Sequence, residues 1–135
     1  MKRRWLTLKN LLSQITINLI QHAYWGIGYL EDGEDQEGAG YRVIDGALVA
    51  FTVTGGTFTT SSLGSVDVTV MHTYEIRWSV ALSQFQFWID GVEVATLSTG
   101  YPAGPLDELA AFYIKNDAAA GKYMYISNFF FQSDR

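Results

Sequence analysis

The chain has 135 residues, a formal charge of −5 and no cysteine. That length buries one core, the acidic balance excludes the basic surface needed by nucleic acid or an anionic membrane, and the lack of cysteine excludes a disulfide framework and a thiolate zinc site. Aromatic residues make up 15% of the chain and prolines number 2, which suits a sheet-rich protein with short turns.

Met1-Lys2-Arg3-Arg4-Trp5-Leu6 starts like the basic region of a signal peptide. Lys9, Asn10, Ser13 and Gln14 then break the apolar run and no small-residue cleavage site follows, so no clear signal peptide is present. No run reaches the roughly 18 apolar residues of a membrane-spanning helix. Residues 1–12 read as an ordered N-terminal arm or first strand, or alternatively a short helix over Leu6–Leu12, and residues 13–135 as a single β-sandwich domain. Ser13–Ile20 alternates and gives the first expected strand.

Further strands are expected at Trp25–Glu31, Tyr41–Ile44, Ala47–Thr54 and Thr57–Ser62. Asp45-Gly46 and Gly55-Gly56 are two-residue turns that join the last three into a meander. Between the first two lies the acidic cluster of the chain, Glu31-Asp32-Gly33-Glu34-Asp35-Gln36-Glu37-Gly38. Calcium takes about 6–8 oxygen ligands, and Asp32, Glu34, Asp35 and Glu37 are its candidate donors. The competing reading is a solvated charged turn.

Tyr74–Val80, Gln84–Ile89, Val92–Leu97, Leu109–Lys115 and Lys122–Gln132 complete the expected strands. A type I′ turn at Asp90-Gly91 would pair Ile89 with Val92, Trp88 with Glu93 and Phe87 with Val94. Phe87, Ile89, Val92 and Val94 then share an apolar face with the core, together with Tyr74, Ile76 and Trp78 of the preceding strand. Trp88, Gln86 and Glu93 fall on the opposite face, where Glu75 and Arg77 join them. Many short strands with almost no helical period indicate an all-β, antiparallel β-sandwich or jelly roll.

The stretch His72-Thr73-Tyr74-Glu75-Ile76-Arg77-Trp78, followed by Phe85-Gln86-Phe87-Trp88-Ile89-Asp90-Gly91, resembles the concanavalin A-like lectin/glucanase superfamily. In that family a strand H-T-Y-x-I-x-W precedes a hairpin F-x-(F/W)-(Y/W)-(I/V)-D-G. Laminin G-like domains, legume-type lectins, pentraxins and laminarinase-type hydrolases share it. The resemblance runs from about Trp25 to the C-terminus, and Tyr123–Phe129 is similar to the family's last strand. It implies a lectin-like jelly roll, compact or N-terminally shortened, since family members usually carry more sheet before this point. Missing strands would come from a neighbouring subunit, which makes a homo-oligomer one expectation. The resemblance leaves activity open, because the family includes enzymes, lectins and structural modules.

The hydrolases carry Glu-x-Asp-x-x-Glu on a strand; here Asp32-x-Glu34-x-x-Glu37 has the spacing with the residue order exchanged. A retaining glycosidase holds two carboxyl groups about 5–5.5 Å apart on rigid backbone. Gly33, Asp35 and Gln36 build a loop instead, so the chain reads as a non-enzyme.

Trp88 is the leading ligand-binding candidate. Sugars stack apolar C–H faces on indole while hydroxyls bond charged and amide groups, and Arg77, Glu75, Gln86 and Glu93 surround it. The bland reading is a Trp covered by a loop or a subunit, with Arg77 stacked on it. Tyr113 and Lys115 are expected on the same face, and Tyr101, between Gly100 and Pro102, is expected to cap a groove. His72 and His22 lack a nucleophile or metal-ligand partner at useful spacing and read as structural. Gly26-x-Gly28 and Gly38-x-Gly40 lack the following helix of a phosphate loop.

The resulting function is a non-catalytic carbohydrate-binding or adhesive lectin-like module. The alternatives are a structural virion or appendage subunit (decoration or fibre) and a laminarinase-type glycoside hydrolase. The expected partners are a glycan or other protein subunits, with no nucleic acid and no membrane span. No cofactor other than calcium is considered, and the expected location is extracellular, on a cell surface or on a virion.

Overall fold

Alternating apolar residues put two sheets around one aromatic core. The computed structural model describes residues 7–18, 22–30, 36–44, 46–79, 81–103, 111–115 and 123–134. These form strands β1 Thr7–Asn18, β2 His22–Tyr29, β3 Glu37–Ile44, β4 Ala47–Thr54, β5 Thr57–Ser62, β6 His72–Ser79, β7 Gln84–Ile89, β8 Val92–Leu97, β9 Ala111–Lys115 and β10 Tyr123–Asp134. The first sheet has the order β10-β1-β6-β7-β8 and the second β5-β4-β3-β2-β9, all antiparallel. The fold is an all-β sandwich compatible with a jelly roll.

Of the two readings of the N-terminal segment, the described residues show a strand and not the short helix: Thr7–Leu12 belongs to β1. β1 pairs with β10 on one side and with β6 on the other, Leu11 opposite Ile76. Ladder bonds to strands from distant parts of the chain decide the segment, where the local pattern is weak.

The hairpin at Asp90-Gly91 has φ of +50° and +79°. Ile89 pairs with Val92 and Trp88 with Glu93, as the turn requires. Phe87, however, pairs with Ala95 and not with Val94, because a β-bulge intervenes before Trp88. One extra residue on β8 takes Val94 out of the expected pair. The meander turn at Gly55-Gly56 pairs Thr54 with Thr57; Asp45 of the other turn lies outside the described residues.

His72 fastens this end of the first sheet. Its Nδ1 lies 2.6 Å from Asp90 Oδ2 and its Nε2 lies 2.8 Å from the Asp67 carbonyl. Thr73 N–H donates to Asp90 Oδ1 at 2.9 Å. That backbone donor, followed by His72, holds the Asp90 carboxyl below its ordinary range.

Trp25, Tyr41, Tyr74, Phe85 and Phe87 are at most 1% exposed between the sheets. Trp25 stacks on Tyr41 at 5.8 Å and meets Tyr74 edge-on at 5.0 Å, while Tyr41 meets Phe87 at 5.5 Å. Trp78 was expected fully in this core; it is only partly buried and packs on Phe85 at 4.8 Å.

Two buried tyrosines differ in what their hydroxyls meet. Tyr41 Oη reaches across from the second sheet to the Glu75 carbonyl at 2.9 Å and the Trp88 carbonyl at 2.8 Å, its one proton shared between them. The Tyr74 hydroxyl is buried without a hydrogen-bond partner, and burial, with the charges of Asp90 and Asp67, pushes its pKa well up. A made hydrogen bond is worth about 1 kcal/mol net, while a buried orphan hydroxyl costs about 1–3 kcal/mol. Urea unfolding should therefore find Tyr41→Phe destabilised by about 1–2 kcal/mol. Tyr74→Phe should be neutral or more stable than the parent, and a loss there equal to that of Tyr41→Phe would contradict this geometry.

Candidate functional site

Each sheet has an outer face. On the first sheet Tyr74, Ile76, Phe87 and Ile89 point into the core, so Glu75, Arg77, Gln86 and Trp88 point out. Cross-strand register gives the row Glu75–Trp88–Glu93 and, beside it, Arg77–Gln86–Thr96. The structure therefore brings together Trp88, Arg77, Glu75, Gln86 and Glu93.

Their mutual contacts matter more than their proximity. Arg77 Nε and Nη2 donate to the two Glu75 carboxylate oxygens at 2.7 and 2.8 Å. The Arg77 guanidinium carbon then lies 4.2 Å from the Trp88 ring centroid. Hydrogen bonding to Glu75 pushes the Arg77 pKa up. The indole surface proposed to stack on a sugar is thus already covered by a cation that has its own carboxylate. Trp88 Nε1 is buried without a hydrogen-bond partner.

Tyr101 and Tyr113 do not join this face. Tyr101 packs on Trp78 at 5.0 Å and Phe85 at 6.0 Å, against the core, which corrects the expected groove cap. Tyr113 belongs to β9 of the second sheet, opposite Tyr24, which corrects its assignment to the Trp88 face. Alternation told Tyr113 from its strand neighbours, but only the topology says which sheet holds the strand.

Among the proposed calcium ligands, Asp32, Glu34 and Asp35 lie outside the described residues. Glu37 Oε1 accepts from the Gly55 N–H at 2.7 Å and the Thr54 hydroxyl at 3.3 Å, so it clamps the β4–β5 turn. No cluster of three or more His, Cys, Asp or Glu fit to hold a metal ion occurs among the described residues.

The outer face of the second sheet carries a second aromatic cluster, in which Tyr24, Phe51 and Val53 are buried while Phe58 and Arg42 are half-buried. Ala23 and Trp25 face the core, so Tyr24 faces out; Phe51 and Val53 alternate out against Ala50 and Thr52. Gly40 lies opposite both Gly26 and Phe51 in the ladder, and all three are buried. Phe51 meets Tyr24 edge-on at 6.3 Å and Phe58 at 5.1 Å. Across these rings reaches Arg42, whose guanidinium carbon is 4.7 Å from the Tyr24 centroid and 4.5 Å from that of Phe58.

Arg42 differs from Arg77 in one respect that matters chemically. Its Nε is buried without a hydrogen-bond partner, and among the described residues the ion pairs are Arg77–Glu75 and His72–Asp90. Arg42 is a cation held by aromatic rings and, among the described residues, paired with no anion. The sequence offered a signal for it: Arg42 stands between Tyr41 and Val43, two core residues, so it must point outward. Nothing local says that Tyr24 and Phe58 flank it.

No family model matches this chain, and no curated protein does. Solved structures do share its fold. A crystal structure of an HCR/D mutant superposes with a TM-score of 0.65 at 12% identity, covering 89% of this chain and 32% of that one. The binding domain of Paraclostridial Mosquitocidal Protein 1 gives 0.61 at 11% identity, covering 90% of this chain and 32% of that one. The present chain thus spans about a third of each of those two. Galectin LEC-6 of Caenorhabditis elegans gives 0.54 at 11% identity over 93% of this chain and 88% of the galectin. At such identity the likeness establishes the fold alone, a two-sheet antiparallel β-sandwich.

Proposed function

We propose that the chain is a non-catalytic carbohydrate-binding module whose ligand lies on the outer face of the second sheet, over Phe58 and against Arg42. The observation that carries this reading is the Arg42 guanidinium, fixed by two rings and lacking any partner among the described residues. Sugar recognition needs an aromatic or apolar surface for C–H faces and a preorganised donor for hydroxyl oxygens. This face offers the half-buried Phe58 ring and, beside it, a guanidinium that no carboxylate holds among the described residues, and a galectin is among the proteins with the same sandwich.

A second reading places a protein partner on the outer face of the first sheet, as in a virion or appendage subunit. Met71, Leu82 and Val92, exposed apolar side chains at or just before the starts of β6, β7 and β8, favour it, because a docked chain would cover them.

A glycan and polysaccharide panel, run on the parent chain and on Phe58→Ala and Trp88→Ala variants, separates the two. Phe58→Ala should weaken binding about tenfold, the equivalent of about 1.4 kcal/mol. Trp88→Ala should bind like the parent. Binding lost in Trp88→Ala and kept in Phe58→Ala would move the sugar site to the first sheet. A folded parent that binds no glycan would leave the assembly reading.

A further inference from the structure

We propose that Arg42 makes the outer face of the second sheet selective for sugars bearing a carboxylate, that is, uronic-acid residues. This rests on the sugar-binding reading of that face and names the class of sugar it takes.

The argument starts from the guanidinium itself. It is permanently charged and planar, and its donors match a carboxylate two at a time. The Arg42 Nε is buried, so the edge left for a ligand is the pair of terminal nitrogens. Tyr24 and Phe58 hold the group from two sides. The side-chain freedom that a long cation normally loses on binding has largely been lost on folding.

An unmatched cation resting on rings is also costly to desolvate, and a bound anion offsets that cost. The same row of the sheet runs Tyr24–Arg42–Val49–Ser62, with no acidic residue in it. An approaching carboxylate therefore meets no neighbouring negative side chain in that row, although the whole chain carries −5. Arg77 shows the contrast: its fork already holds the Glu75 carboxylate, so it offers a new anion nothing.

What attaches the carboxylate to a sugar is the rest of the face. Phe58 points outward, so Thr60 and Ser62, two and four residues on, point outward too, and both are exposed. The Arg42 guanidinium lies 4.5 Å from the Phe58 ring centroid, so a carboxylate on its terminal nitrogens brings the attached ring beside Phe58. A uronate seated on Arg42 would lay its ring toward Phe58 and its hydroxyls toward Thr60 and Ser62.

The test uses the full chain at low salt, since screening weakens an exposed charge contact. Trigalacturonate, its fully methyl-esterified form and acetate are titrated and followed by backbone and arginine Nε–H resonances. The acid trimer should bind at least tenfold tighter than its neutral ester, with the Arg42 Nε–H signal shifting, and acetate should not saturate in the same range. Arg42→Met should abolish the difference between acid and ester, and Arg42→Lys, which keeps the charge without the fork, should restore only part of it. Thermal melts establish that each variant folds; if Arg42→Met does not, the acid–ester comparison on the parent decides. Equal affinity for acid and ester would overturn the selectivity while leaving sugar binding in place. No binding of either trimer would overturn both. Acetate binding as tightly as trigalacturonate would overturn the sugar as the source of the carboxylate.

Discussion

Trp25→Ala should cost about 3–5 kcal/mol of folding stability, the range for truncating a large aromatic in a packed core. Trp25 is 0% exposed and lies where the two sheets meet, stacked on Tyr41 of its own sheet and edge-on to Tyr74 of the other. Each such aromatic pair adds about 0.5–1.5 kcal/mol beyond area burial. One term runs the other way, since Trp25 Nε1 is buried without a hydrogen-bond partner and its removal relieves about 1–3 kcal/mol of desolvation. The cavity left by an indole outweighs that relief, because residues on two facing sheets cannot collapse into the space without breaking their ladders. Small domains hold about 5–15 kcal/mol in all, so the variant should retain only part of its stability. Urea unfolding measures this against Val92→Ala, a 63% exposed position where the change should stay within about 0.5 kcal/mol. A loss below about 1 kcal/mol for Trp25→Ala would mean that the sheets do not meet there.

What could be read from the sequence was mostly local. Asp90-Gly91 and Gly55-Gly56 announce two-residue turns because few residue pairs accept positive φ in succession, and both turns are present. The inward sets Tyr74–Ile76 and Phe85–Phe87–Ile89 followed from alternation once the turn was placed. The bulge at Val94 did not, since one extra residue leaves no trace in a six-residue strand. Nor did the full length of β1, whose partner β10 comes from the other end of the chain. Tyr113 was assigned to the wrong sheet because β9 follows a long connection, and periodicity is silent about where such a connection leads. The site divides the same way. That Trp88 and Arg42 point outward is a matter of counting; that Arg77 covers Trp88, and that Tyr24 and Phe58 clamp Arg42, depends on cross-strand register and rotamer.

The β2–β3 pairing gives the other large effect. Gly28→Ala should destabilise the chain by about 2–6 kcal/mol, adding about 1–3 for a side chain at unfavourable φ to about 1–3 for overpacking. Gly28 has φ +109°, and a Cβ there would stand 2.1 Å from the Glu37 carbonyl oxygen and 2.8 Å from the Gly38 Cα. Both are backbone atoms of the neighbouring strand, so relief requires the strands to part and not a side chain to rotate. Gly46→Ala is the matched control: φ is +82°, but nothing lies within 4 Å of the added carbon, so only the strain applies, about 1–2 kcal/mol. Equilibrium unfolding of the two variants separates strain from close approach, and equal losses would refute the latter. The consequence reaches the face proposed to bind sugar, because β2 carries Tyr24 and β3 carries Arg42. If parting these strands loosens the ring from the guanidinium, a Gly28→Ala chain that still folds should bind sugar more weakly than Gly46→Ala. The register that packs the strands would then be the same register that holds the cation ready.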